Sequence, residues 1–182
     1  MMTDIKCAAF IAVCGLFWLF LPAAGTAASA AYREVRWEEL VPQSWHPEKI
    51  FDKLDIDNLS DGDPRAEKAL ETFMAEWAKA PVNEGMNGQR IKIPGFIAPL
   101  DWENDEELKE FLLVPYFGAC IHVPPPPANQ IIYVKLEKPL KGIRSMDAIW
   151  AYGTITVERT DSGSMGASGY RVQLDKVEPY KQ

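Results

Sequence analysis

The segment Tyr116–Val134, "YFGACIHVPPPPANQIIYV", places a cysteine and a histidine two residues apart and directly before four prolines. If Cys120 and His122 lie on a β-strand, their side chains project from one face, roughly 6.6 Å apart along the strand. Zinc–sulfur and zinc–nitrogen bonds of about 2.0–2.3 Å let such a pair lean inward and hold one metal ion. The same spacing permits a Cys–His pair in which the imidazole lowers the thiol pKa.

The four residues Pro124, Pro125, Pro126 and Pro127 cannot form a central strand, because proline fixes φ and lacks a backbone donor. We expect a rigid polyproline II segment that forms a stiff wall beside the Cys/His pair. Asn129 and Gln130 follow this wall. We expect their amides to orient the ligands or to bond the unpaired carbonyls of the proline run.

The supply of further ligands is limited, because a structural zinc usually takes four protein ligands and a catalytic zinc three. Asp101 and Glu103 are candidates by residue type alone, and His46 could fold back from its own segment. Thioethers such as Met86 or Met165 would favour copper, since soft sulfur ligands select Cu(I). The pattern therefore permits zinc or copper without choosing between them.

The first thirty residues predict a secretory signal peptide with an A-x-A cleavage site ending at Ala30. Lys6 supplies the basic start, and the apolar run Cys7–Leu21 is short for a spanning helix, which needs about 20 residues. An uncleaved membrane anchor is the alternative. We expect cleavage near Ala30, a periplasmic location and no stable membrane insertion afterwards.

The formal net charge is −7, and removal of residues 1–30 takes away one acid, Asp4, and one base, Lys6, so it stays at −7. This charge argues against nucleic acid as a partner. Cleavage also removes Cys7 and Cys14, which leaves Cys120 without an intramolecular disulfide partner. An unpaired cysteine in an exported protein indicates a ligand, a reactive thiol or intermolecular pairing.

The elements that must position this segment follow from periodicity. Residues 31–62 form a polar arm that we expect to pack through Trp37, Leu40, Val41 and Trp45. Residues 63–182 form a single β-rich domain whose first helix begins at Asp63–Pro64, with an apolar face that we expect to be core.

Four segments predict strands: "GQRIKIPGFIAPLDW" with a bulge or bend at Pro94–Gly95, "NQIIYVKLE", "AIWAYGTITVERT" and "GYRVQLDKVEPY". The segment "NDEELKEFLL" predicts a short helix, with Asn104 as its cap and Leu108, Phe111 and Leu112 on its inner face. The fold class is therefore mostly β (α+β). We expect a small curved antiparallel sheet or a five-stranded OB-like barrel, with the N-terminal helix and arm outside.

The segments "IKIPGFIAPLDW", "FLLVPYFGACIHVPPPPANQIIYV", "IWAYGTITVE" and "YRVQLDKVEPY" resemble the domain-of-unknown-function 3299 family of bacterial exported proteins and lipoproteins. The resemblance implies a periplasmic protein, often encoded near envelope ABC transporters that look metal-related. This sequence departs from the lipoprotein members, because it lacks a lipid-attachment cysteine at the cleavage site.

The leading hypothesis is a periplasmic accessory protein that binds zinc or copper through Cys120 and His122 and is linked to an envelope metal transporter. Its partner would be an ABC transporter component or another periplasmic protein. The alternative is a non-catalytic interaction module with structural Cys/His residues. An enzyme with Cys120 as nucleophile and His122 as base is third, because the sequence offers no identifiable orienting residue.

Overall fold

The computed structural model describes residues 31–54, 63–103, 106–122 and 124–181, so the predicted signal peptide lies outside the described residues. Its six strands are β1 (Arg33–Glu34), β2 (Arg90–Glu103), β3 (Glu107–Val114), β4 (Ile132–Lys141), β5 (Ala148–Asp161) and β6 (Ala167–Pro179). The helices are α1 (Glu48–Leu54) and α2 (Pro64–Trp77), with 3₁₀ turns at Trp37–Leu40, Glu84–Met86, Ala128–Gln130 and Gly163–Met165. Within the described residues, no helix has the length and apolar character needed to cross a membrane.

Five strands close into a barrel in the order β2-β3-β4-β6-β5, and β5 returns to pair with β2. The β4–β6 pair is parallel and the other four pairs are antiparallel. β1 adds to β2 in parallel as an extra strand. The mostly-β class with an OB-like barrel is therefore confirmed, as a closed barrel of mixed strand direction.

β2 pairs with two other barrel strands: its first half pairs with β5 and its second half with β3. The change of partner falls beside Gly95, where a Cβ would lie 2.8 Å from Leu113 Cγ. Glycine thus allows a close approach of β3, and the register has no bulge at this position. The irregularity in the β2–β3 register lies further on, between Pro99 and Trp102.

The end of β3, Phe111–Val114, and the start of β4, Ile132–Val134, are buried on both faces, which explains their continuous apolar runs. The interior of the barrel holds one cluster, which includes Ile93, Phe111, Leu113, Ile132, Val134, Ile155, Tyr170 and Val172. A second cluster covers the outer face of the same strands and consists of Ala98, Leu112, Val114, Ala119, Cys120, Ile131, Tyr133 and Met146. We call this second cluster the outer cluster.

The predicted helix over "NDEELKEFLL" is wrong, because Glu107–Val114 is strand β3; the proposed cap Asn104 lies outside the described residues. A register shift between Leu108 and Glu110 interrupts the β3–β4 ladder. This bulge lets Leu108 and Phe111, three residues apart, both join the interior cluster. The resulting spacing imitates that of a helix.

The arm is fixed to the barrel by buried side chains and hydrogen bonds. Trp37 Nε1 donates to the Pro94 carbonyl oxygen at 2.7 Å, and the Tyr170 hydroxyl donates to the Leu40 carbonyl oxygen at 2.5 Å. Trp37 and Leu40 both belong to the interior cluster. The part of the arm around Trp37–Leu40 is therefore packed into the core of the barrel.

Helix α2 begins as expected, with the Asp63 carboxylate accepting from the Arg65 backbone N–H at 2.8 Å. Its apolar face is less buried than the sequence predicts, because Leu70 is exposed and Met74 is half-buried. The end of the helix is held by Arg159 of β5, whose guanidinium donates to three successive backbone carbonyls, those of Ala78, Lys79 and Ala80.

Candidate functional site

The Cys120/His122 segment is a series of tight turns, so the predicted strand is wrong. The His122 backbone N–H donates to the Gly118 carbonyl oxygen at 2.8 Å, and the Ile121 N–H donates to the same oxygen at 3.2 Å. Gly118 and Cys120 have φ values of 85° and 64°. Since the left-handed region suits glycine and costs other residues roughly 1–2 kcal/mol, the strained conformation of Cys120 depends on its surroundings.

Cys120 is a free thiol, 7% exposed, within the outer cluster. Burial raises the pKa of its thiol to about 11, so the metal-free side chain is neutral at pH 7. The exposed His122 lies on the same loop, and a Cβ on Gly118 would come 3.7 Å from His122 Cβ. Cys120 thus faces the protein, whereas His122 faces solvent.

Both residues nevertheless line one open cleft of about 770 Å³. Its lining is completed by Pro99, Trp102, Ile121, Pro124, Pro125, Ser145, Ser164 and Met165. Met165 also packs against the outer cluster that contains Cys120. The structure therefore brings a thiol, an imidazole and a thioether to one cleft beside two of the four prolines.

The proline run has a second neighbour. Trp77 Nε1 of α2 donates to the Pro125 carbonyl oxygen at 3.2 Å. Pro127 adopts φ −62° and ψ 154°, which is polyproline II geometry. All four prolines also line a groove of about 610 Å³ beside α2, together with Trp37, Glu38, Phe73, Met74, Trp77, Pro115, Tyr116 and Gln130. The run therefore separates the cleft from this groove.

Asn129 and Gln130 tie the barrel to other segments. Asn129 Nδ2 donates to the Pro81 carbonyl oxygen and Gln130 Nε2 to the Trp37 carbonyl oxygen, both at 2.8 Å. Neither residue lines the cleft. Their amides fix the base of the proline run rather than the ligands themselves.

Four predicted ligands lie elsewhere. Glu103, at the end of β2, has its carboxylate 3.7 Å from Lys109 Nζ and does not line the cleft. Asp101 is exposed on β2 opposite Glu110, and it does not line the cleft. His46 is exposed on the arm, with Nδ1 3.0 Å from a Glu48 carboxylate oxygen. Met86 is buried in the interior cluster, whereas Cys120 belongs to the outer one.

Met146 is a contributor that sequence reasoning missed. It is 7% exposed, has φ 64°, and its Sδ accepts a hydrogen bond from the Gly118 N–H at 3.1 Å. This contact ties the Cys120 loop to the turn that contains Met146. Nothing in the local sequence around Met146 indicates the contact, which joins residues 28 positions apart.

The chemistry open to this cleft follows from its donors. Among the described residues no carboxylate lines it, so His122 has no acid there to orient it as a base. The neutral thiol further disfavours nucleophilic catalysis, which requires a thiolate. The described part of the chain also contains no group of three or more His, Cys, Asp or Glu side chains suited to a metal. A metal at this cleft would therefore depend on sulfur and imidazole donors.

Over residues 37–179 the sequence matches the family described as "Protein of unknown function (DUF3299)". The chain belongs to this family. A crystal structure of the DUF3299 family protein PA4066 from Pseudomonas aeruginosa PAO1 is similar, with 37% sequence identity and a TM-score of 0.62. The similarity covers 84% of this chain and 98% of the Pseudomonas chain. No curated protein matches.

Proposed function

We propose that this DUF3299 protein is a periplasmic accessory protein that binds zinc or copper through Cys120 and His122. The observation that carries the proposal is their shared position at one open cleft. A thiolate and an imidazole are ligands for both metals. A bound metal replaces the thiol proton, which overcomes the preference of the buried Cys120 for its neutral form.

The surroundings support retention of a metal by restricting the motion of its ligands. The loop is anchored by the Met146–Gly118 hydrogen bond, and Pro124 and Pro125 line one side of the cleft. Because proline has a fixed φ, ordering this wall costs little conformational entropy. The proline wall and the anchored loop thus limit the motion of the two proposed ligands.

The cellular part of the proposal is export and partnership with an envelope metal transporter. It is supported by the signal-peptide pattern ending at Ala30 and by the family resemblance. Sequencing of the N-terminus of protein from the periplasmic fraction should begin at Ala31. An intact N-terminus, or absence from that fraction, would contradict export.

Thiol protection tests the metal site directly. Protein lacking residues 1–30 is alkylated at Cys120 under mildly alkaline, denaturant-free conditions, with and without Zn(II) or Cu(I). We expect metal to slow alkylation in the wild type and much less in His122→Ala. His46→Ala is the matched control, since His46 is an exposed histidine away from the cleft. Equal protection in wild type and His122→Ala would contradict joint ligation.

An interaction module is the second candidate, because Tyr116, Phe117 and Ile121 of the same loop are 45%, 67% and 39% exposed. Exposed apolar side chains clustered on one loop are typical of a docking surface. Under this alternative the reactivity of Cys120 is indifferent to metal. The substitution Phe117→Ser would then abolish partner binding while leaving metal protection unchanged.

A further inference from the structure

We infer that Met165 is a third ligand and that the cleft is built for Cu(I) rather than Zn(II), an inference that rests on the proposed metal function. Cys120, His122 and Met165 line the same cleft, and Met165 packs against the outer cluster around Cys120. These residues supply one thiolate, one imidazole and one thioether. Thioether and thiolate sulfur select Cu(I), whereas carboxylate and water favour harder ions.

The position of Met165 is fixed by the β5–β6 hairpin. Met165 ends the 3₁₀ turn Gly163–Met165, and the next residue, Gly166, has φ 94°. A Cβ on Gly166 would lie 2.6 Å from Pro125 Cβ and 3.3 Å from Ile131 Cδ1. The hairpin tip therefore packs directly against the proline run, and this close approach places Met165 at the cleft.

The same donors form a poor zinc site. Structural zinc sites take four protein ligands and catalytic ones three, drawn from Cys, His, Asp and Glu. The described residues supply only Cys120 and His122 of these types at the cleft. Ser145, Ser164 and Trp102 complete its polar lining without adding a strong ligand.

The discriminating substitution is Met165→Leu, which keeps the approximate size of the side chain and removes the sulfur. Met74→Leu is the matched control, because Met74 is also half-buried and lines the adjoining groove instead of the cleft. Cu(I) and Zn(II) affinities are measured anaerobically by competition with a chromogenic chelator for each ion. The proteins are wild type, Met165→Leu, Met74→Leu, Cys120→Ser and His122→Ala, each lacking residues 1–30.

Met165→Leu removes a Cu(I) ligand and should weaken Cu(I) binding about tenfold or more. Loss of a residue that only supports a metal ligand already weakens binding by about that much. The Zn(II) affinity of Met165→Leu should change less than about threefold. The Cu(I) and Zn(II) affinities of Met74→Leu should also change less than about threefold. Unchanged Cu(I) affinity in Met165→Leu, or an equal loss for both ions, would overturn the inference while leaving metal binding by Cys120 and His122 in place. If the wild type binds neither ion, the proposed function itself fails.

X-ray absorption of the Cu(I)-loaded wild type provides a test that requires no substitution. We expect two sulfur scatterers and one imidazole nitrogen. A single sulfur scatterer would exclude Met165 as a ligand, even if Met165→Leu proved too unstable to measure.

Discussion

The His122 backbone N–H donates to the Gly118 carbonyl oxygen at 2.8 Å, and this contact holds the histidine on the same turn as Cys120. The turn requires Gly118 at φ 85°. A two-residue separation that would place side chains on one face of a strand instead yields one buried and one exposed side chain at a common cleft.

Gly118→Ala should separate the role of this turn in metal binding from its effect on stability. A new Cβ would make ordinary contacts with His122, at 3.7 and 3.8 Å, so the cost arises from the positive φ and is roughly 1–2 kcal/mol. Gly142→Ala is the control, because Gly142 has φ 70° and no atom near a new Cβ. Urea unfolding should show similar losses, whereas metal affinity should fall only in Gly118→Ala. Equal metal affinities in the two variants would contradict the role of the turn.

The pKa of Cys120 predicts an alkaline reactivity profile. Alkylation of the metal-free protein requires the thiolate, so its rate should keep rising with pH towards the thiol pKa of about 11. Because burial raises the pKa above its ordinary value of about 9, the folded state holds this proton more tightly than the unfolded state. The associated stability is present below about pH 9 and is lost as pH rises through about 11. A rate that levels off near pH 7 would indicate an activated thiolate and revive the enzyme hypothesis.

Arg159→Met should destabilise the protein without affecting the cleft. The guanidinium caps the carbonyls that follow α2, and hydrogen bonds from a charged group to this exposed region contribute about 1 kcal/mol. The control is Arg171→Met, which breaks an exposed ion pair with Glu158 and a cation–π contact 5.8 Å from the Tyr133 ring centroid, and which should cost less. Thermal unfolding measures both. Equal melting temperatures for the two variants would refute the capping role.

Gly166→Ala should displace the neighbouring residue Met165. The added Cβ would overlap the Pro125 ring at 2.6 Å, so the hairpin tip must move away from the proline run. Gly163→Ala, at φ 63° with open space around a new Cβ, lacks this overlap. Gly166→Ala also carries the greater backbone strain, because φ 94° and ψ −178° lie in a region that is essentially restricted to glycine. Cu(I) affinity should fall in Gly166→Ala and remain near wild type in Gly163→Ala. The reverse order would show that contact with Pro125 does not position Met165.

The barrel was predictable because side-chain alternation in β5 and β6 reflects one inward and one outward face. β3 was not, since its bulge places Leu108 and Phe111 on one side at helix-like spacing. Local pattern cannot separate these cases, because the bulge is defined by pairing with β4.

The candidate site was predictable in its residue types and not in its geometry. The chemistry of Cys120 and His122 is visible in the sequence, but the turn depends on the positive φ of Gly118 and on the sulfur of Met146. Met165 lies at the cleft and Met86 in the interior cluster, and the contact between Gly166 and Pro125 that places Met165 there is visible only in the tertiary structure.

Metal content tests the central claim most directly. Wild type, Cys120→Ser and His122→Ala are purified from periplasm without chelators and analysed by elemental mass spectrometry after quantitative amino-acid analysis. The account predicts a near-stoichiometric soft metal in the wild type that is lost from both variants. Absence of metal from the wild type, even after anaerobic reconstitution with Cu(I) and Zn(II), would contradict the claim and leave the Cys120 loop as a docking surface.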